Sequence, residues 1–88
     1  MIRTYSDKLI VLDREINVLK NGTLETVIIA EHETRKRIAD SEIFFYGELA
    51  EKANEQLKPG MRFTYRGYVL PTDEGQIKLV GAAFAPIA

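Results

Sequence analysis

Residues 44–60 read FFYGELAEKANEQLKPG, and the stretch changes structural character within itself. Up to Tyr46 it is apolar and aromatic, the composition of a strand. After Gly47, Leu49, Ala50, Ala53 and Leu57 recur at helical intervals among Glu48, Glu51, Lys52 and Glu55, which predicts one amphipathic helix of about three turns. Glu48 and Glu51 fall in its first turn and Lys58 in its last, as the helix dipole favours, and Pro59-Gly60 cannot continue it. A glycine between strand and helix lets the chain turn sharply from one to the other. The fold must therefore contain a strand that feeds a short helix directly.

Working outward, residues 8–19 (KLIVLDREINVL) are rich in aliphatic and β-branched side chains and stop at Asn21-Gly22, a turn signal that joins antiparallel strands. Residues 23–33 (TLETVIIAEHE) form a second strand, and the polar run 34–40 (TRKRIAD) a loop into the third, SEIFFY. Beyond the helix, MRFTYRGYVL alternates, with Met61, Phe63, Tyr65 and Val69 on one face and Arg62, Thr64, Arg66 and Tyr68 on the other. PTDEGQ is a turn, and residues 77–87 a fifth strand whose Gly81 marks a bulge or a close approach. Five antiparallel strands with one helix between the third and fourth is the order of the OB-fold, an all-β Greek-key barrel that binds oligonucleotides. The helix would plug the bottom of that barrel.

Length and composition fit this reading. Eighty-eight residues without internal repeats make a single domain, residues 1–88, too small to bury much surface alone, so self-association into a homodimer or homotetramer is expected. With no cysteine there is no disulfide framework and no thiolate metal site, and a cytoplasmic setting is the expectation. No apolar run has the length of a signal peptide or a membrane span. A formal charge of −1 gives no global positive field, so a nucleic-acid partner has to be argued from local patches. His32 is the only histidine, and Glu31 and Glu33 alternate to the opposite face of its strand, which argues against a metal site. Motifs of nucleophilic, zinc-dependent or phosphate-cradling chemistry are missing and the carboxylates are scattered, so neither catalysis nor a cofactor is expected.

The words of the sequence carry more than its periods. FFYGELAEKANEQLKPGMRFTYRGYV resembles the core of the bacterial single-stranded DNA-binding proteins, which run aromatic-Gly-x-Leu-Ala-Glu-x-Ala, then Leu-x-x-Gly, then an alternating strand. DKLIVLDR is similar to that family's first strand, NGTLETVIIA to its second and TDEGQIKLVGAAF to its last hairpin. There is similarity also to the primosomal replication protein built on the same domain. The chain closes on FAPIA, so the resemblance implies the binding domain without the family's acidic tail. It further implies that Tyr46, just before the helix-entry glycine, stacks on a base. Other positions differ from the family pattern: Arg35 stands where an aromatic is expected, Asp40 and Glu42 where an aromatic and a basic residue are expected, and Asp13 where a glycine is expected.

Alternation separates Glu42, Phe44 and Tyr46 from Ile43 and Phe45 on the third strand, and the resemblance puts Ile43 and Phe45 inside. Phe44 and Tyr46 are then an outward pair for stacking. Arg35, Lys36 and Arg37 make a basic run in the loop before that strand, suited to phosphates. Arg62, Arg66 and Tyr68 on the fourth strand extend a groove, and Arg14 holds a family-like basic position. The expected function is sequence-tolerant binding of single-stranded DNA in replication, repair or recombination, with replication proteins as further partners. The alternatives are single-stranded RNA binding, or an OB-fold interaction module whose aromatics cover a protein partner and whose Asp40 and Glu42 reflect lost DNA binding.

Overall fold

The computed structural model describes residues 2–5, 8–34 and 40–87. Its elements in chain order are β1 (Ile2–Tyr5), β2 (Leu9–Val18), β3 (Leu24–His32), β4 (Ser41–Tyr46), α1 (Glu48–Gln56), β5 (Arg62–Pro71) and β6 (Ile77–Ile87). Five of the strands follow each other around a ring, β5-β2-β3-β4-β6, which the β5–β6 pairing closes. All neighbours in the ring are antiparallel except β4 and β6, which run parallel through Ile43↔Leu79 and Phe44↔Val80. This is the closed barrel of the OB-fold, with its helix between the third and fourth strands of the ring.

The sequence reading needs two amendments. A sixth strand, β1, pairs with the second half of β5 through Ile2↔Val69 and Tyr5↔Arg66. Four alternating residues with no turn signal before them carry too little pattern to be read as a strand. The helix also ends at Gln56, so Lys58 lies beyond it rather than in its last turn. Leu57 is already extended, and Pro59 keeps Lys58 from helical geometry. The Leu57 amide nevertheless donates to the Ala53 carbonyl, at 2.9 Å, closing the helix end.

Both hairpins are shaped by one glycine-dependent loop. Leu19 and Thr23 bracket the first, where the Gly22 amide donates to the Leu19 carbonyl and Gly22 takes φ 85°. Thr72 and Gln76 bracket the second in the same way, with Gly75 at φ 80°. A turn followed by a left-handed residue is the standard three-residue hairpin connection, so Asn21-Gly22 joins antiparallel strands by a loop one residue longer than the tightest turn.

The core fills the ring. Leu9, Val11, Ile28, Ala30, Ile43, Phe45, Phe63 and Tyr65 bury their side chains inside it, and Ala50 and Ala53 of α1, with Leu57 just beyond it, close one end. The buried Thr26 hydroxyl donates to the Ala50 carbonyl at 2.8 Å, tying the helix to β3. At Gly47 the backbone has φ 65° and ψ −133°, and its amide donates to the Leu24 carbonyl. A side chain there would be strained, which is why glycine stands between β4 and α1.

Closure of the ring depends on two further glycines. Gly67 and Gly81 face each other across β5 and β6, next to a register shift. A Cβ on Gly67 would lie 1.9 Å from the Val80 carbonyl oxygen, and one on Gly81 would lie 2.1 Å from the Phe45 ring. Phe45 is fully buried and meets Phe84 edge to face, with centroids 5.5 Å apart. Gly81→Ala should therefore destabilise the fold by roughly 1–3 kcal/mol or more, as overpacking does. Phe45→Leu added to that variant should recover part of the loss. Urea unfolding would read both, and an unchanged midpoint for Gly81→Ala would contradict the packing described.

Candidate nucleic-acid interface

Period-two alternation on the closed ring decides which side chains face out. On β4, Ile43 and Phe45 are fully buried while Phe44 and Tyr46 are half-buried on the outer face, as the resemblance implied. Phe44 is in register with Val80 of β6, and Val80 with Tyr68 of β5, so a third aromatic shares that face. Two strand spacings separate Tyr68 from Phe44, roughly 10 Å. Tyr46, Phe44 and Tyr68 thus form an aromatic track over β4, β6 and β5.

The cationic residues divide. Arg66 is exposed, two residues before Tyr68 on the same face, and the two border a shallow hollow with Ala82 and Ala83. Arg62 lies about six residues, or roughly 20 Å, further along β5 from Tyr68. Its Nε donates to a Glu33 carboxylate oxygen at 3.2 Å, so it is engaged at the other end of the barrel. Arg14 lies on the other face of β2 from Asp13 and Glu15, and its Nη1 donates to the Asn54 carbonyl in α1. That is a helix-end contact, where a cation is favoured by the dipole. Arg35, Lys36 and Arg37 lie outside the described residues.

One cation that the sequence reading did not single out sits directly on the track. The Lys78 ammonium lies 4.3 Å from the Phe44 ring centroid and 5.1 Å from that of Tyr46, both within cation–π range. It is also 4.0 Å from a Glu25 carboxylate oxygen, and the other Glu25 oxygen accepts from Asn17 Nδ2 at 3.1 Å. Glu25 is in register with Tyr46 on the neighbouring strand. The outward positions of Glu25 and Lys78 are readable from alternation. Their meeting is not, because it requires the parallel closure of β4 on β6.

Beside Phe44 and Lys78 a cleft of about 450 Å³ opens between the start of β4 and the β5–β6 hairpin. Ile77, Leu79 and Phe44 supply its apolar lining, and Asp40, Glu42 and Lys78 its charges. Asp13 and Glu15 are exposed on β2, and Glu42, opposite Ile29 of β3, is exposed on β4 two residues before Phe44. Asp40 and Glu42 thus stand at the start of β4, where they share the cleft with Phe44 and Lys78. His32 shares a hydrogen bond with Ser41, Nε2 to Oγ at 3.4 Å, and among the described residues no three metal-ligating side chains gather.

No protein-family model matches this chain, and no curated protein matches its sequence. Solved structures do match its shape. The SSB domain of a Synechococcus protein aligns with a TM-score of 0.79 at 12% identity, over 96% of this chain and 93% of that one. The protein PriB from Ralstonia solanacearum aligns in two structures, with TM-scores of 0.75 and 0.77 at 11% and 10% identity. These cover 99% and 98% of this chain and 99% and 97% of the other. The neighbours are those the sequence resemblance pointed to, and at these identities they establish the OB-fold over nearly the whole chain.

Tyr46 titrates above the ordinary phenol value of 10.0, chiefly because burial disfavours the phenolate; hydrogen bonding to Lys78 pulls it down and to Glu25 pushes it up. The folded chain thus holds the phenol proton more tightly than the unfolded one. Its contribution to stability is complete below about pH 10 and is lost as pH rises through the raised value. Lys78→Met should move the Tyr46 titration further up and Glu25→Gln should move it down. Phenolate absorbance, with Tyr46→Phe as the blank, would check both directions, and equal titrations in all three proteins would contradict the contacts.

Proposed function

We propose that this protein binds single-stranded DNA with little sequence preference, laying the bases over β4, β6 and β5. The observation that carries the reading is the outward aromatic track of Tyr46, Phe44 and Tyr68, held on a closed barrel. Base stacking on such rings is worth roughly 1–3 kcal/mol per base and tolerates any sequence, because every base has a π-face. Rigid mounting lowers the ordering cost of binding. The structural likeness to an SSB domain and to PriB supports the reading, as does the sequence resemblance. Stacking and phosphate contact require no bond chemistry, so the role is protection or presentation of a strand in replication, repair or recombination rather than catalysis.

Charge sets the course of the strand. Asp13 and Glu15 on β2 repel phosphates, whereas Arg66 borders Tyr68 on β5, so the backbone should run toward β5 rather than over β2. Arg35, Lys36 and Arg37, which precede β4 in the sequence, would supply further phosphate contacts. Beyond Val11, β2 pairs with β3 alone among the described pairings and exposes Ile16 and Val18. A free, apolar edge supports association into a homodimer or homotetramer. The acidic flank also favours a second reading, in which a protein partner covers the same aromatics.

Titration of labelled oligodeoxythymidine separates the two readings. Tyr46→Ala should lose roughly 1–3 kcal/mol of affinity, and the loss should persist at high salt, since stacking releases no counterions. Replacing Arg35, Lys36 and Arg37 together by alanine should instead lower the slope of log affinity against log salt by up to about 2, at about 0.7 per contact. Absence of binding by the wild type at low salt would pass the aromatic face to a protein partner.

A further inference from the structure

The Lys78 ammonium occupies the space above Phe44 and Tyr46 where bases would stack, 4.3 Å and 5.1 Å from the ring centroids. Four observations fix it there. Glu25 approaches it to 4.0 Å, the Glu25 side chain is only 12% exposed, Asn17 orients that carboxylate by a hydrogen bond, and the two rings lie on the adjoining strand. A partly buried pair of this kind is screened less by salt than an exposed one. The lysine also borders the cleft beside Phe44, so a change of rotamer carries its charge from the rings to the path of the strand. Lysine suits this exchange, being a compact cation on a flexible stem.

We infer that Lys78 is a phosphate-contacting residue of the strand-binding face, and that Glu25 latches it over the stacking rings until a strand displaces it. The inference rests on the proposed binding of single strands to this face. A base arriving on Phe44 must displace the ammonium, which exchanges the Glu25 carboxylate for a phosphate oxygen of the same strand. Binding is thus weakened by the cost of opening the Glu25–Lys78 pair and strengthened by the contact the freed lysine makes. Without Glu25 the cost disappears and the contact remains.

A double-mutant cycle on oligodeoxythymidine binding tests this. Glu25→Gln should tighten binding roughly 2- to 5-fold at low salt, the worth of a modest ion pair, and the gain should shrink as salt rises. Lys78→Met should weaken binding, and Glu25→Gln should bring little further gain in the Lys78→Met protein. An equal gain in both backgrounds would mean that Glu25 acts only by repelling phosphate, and tighter binding by Lys78→Met would mean that the lysine is only an obstruction; either overturns the inference. A readout without nucleic acid comes from the Lys78 ε-methylene protons, which the two rings should shift upfield in the wild type and less so in Glu25→Gln. Equal shifts in the two proteins would remove the latch. Failure of every protein to bind overturns the proposed function, and the gating with it, whereas binding of wild type and Glu25→Gln with one affinity overturns the latch alone.

Discussion

The Phe45 ring lies against bare backbone at Gly81, and the rest of the barrel depends on that contact. A Cβ at Gly81 would lie 2.1 Å from the ring, so no other residue lets β6 pass this close to β4 without moving the ring. Gly67 opposite leaves equal room for the Val80 carbonyl. The parallel β4–β6 pairing closes the ring beside this close approach. With Phe45 locked inward, period two sends Phe44 and Tyr46 outward. The orientation of the candidate interface is thus a consequence of core packing.

The same closure arranges the charges. Bringing β6 beside β4 places Lys78 over the β4 aromatics and near Glu25 of β3, so a cation, two rings and a carboxylate from three strands meet on the outer face. Bringing β5 beside β6 adds Tyr68 and Arg66. Asp13 and Glu15 of β2 remain on the other flank. A net charge near zero is therefore compatible with a local cationic contact, because Lys78 and Arg66 stand beside the rings of the outer face.

Much of the fold was legible because its signals are local. The glycine between β4 and α1 and the helical period after it are readable from the stretch 44–60, and the resemblance supplies the inward placement of Ile43 and Phe45. The strand β1 was not, since four residues carry little pattern. Within the site, Phe44, Tyr46, Tyr68 and Arg66 fall on one face as alternation and strand order imply. Arg14 and Arg62 do not join them: β2 turns Arg14 toward the helix, and Arg62 sits far along β5 beside Glu33. Charge type alone could not separate these arginines, because each is placed by a long-range pairing. Lys78 and Glu25 escaped notice for the same reason.

The central claim is that the outer face of β4, β6 and β5 is a single-strand binding surface whose aromatics are presented by the core. Chemical-shift mapping of the isotope-labelled protein during addition of oligodeoxythymidine tests it most directly. The account predicts perturbations at Phe44, Tyr46, Tyr68, Lys78 and Arg66, with Arg62, Ile16 and Val18 unmoved. Perturbations confined to the β2–β3 hairpin, or none at saturating oligonucleotide, would contradict it.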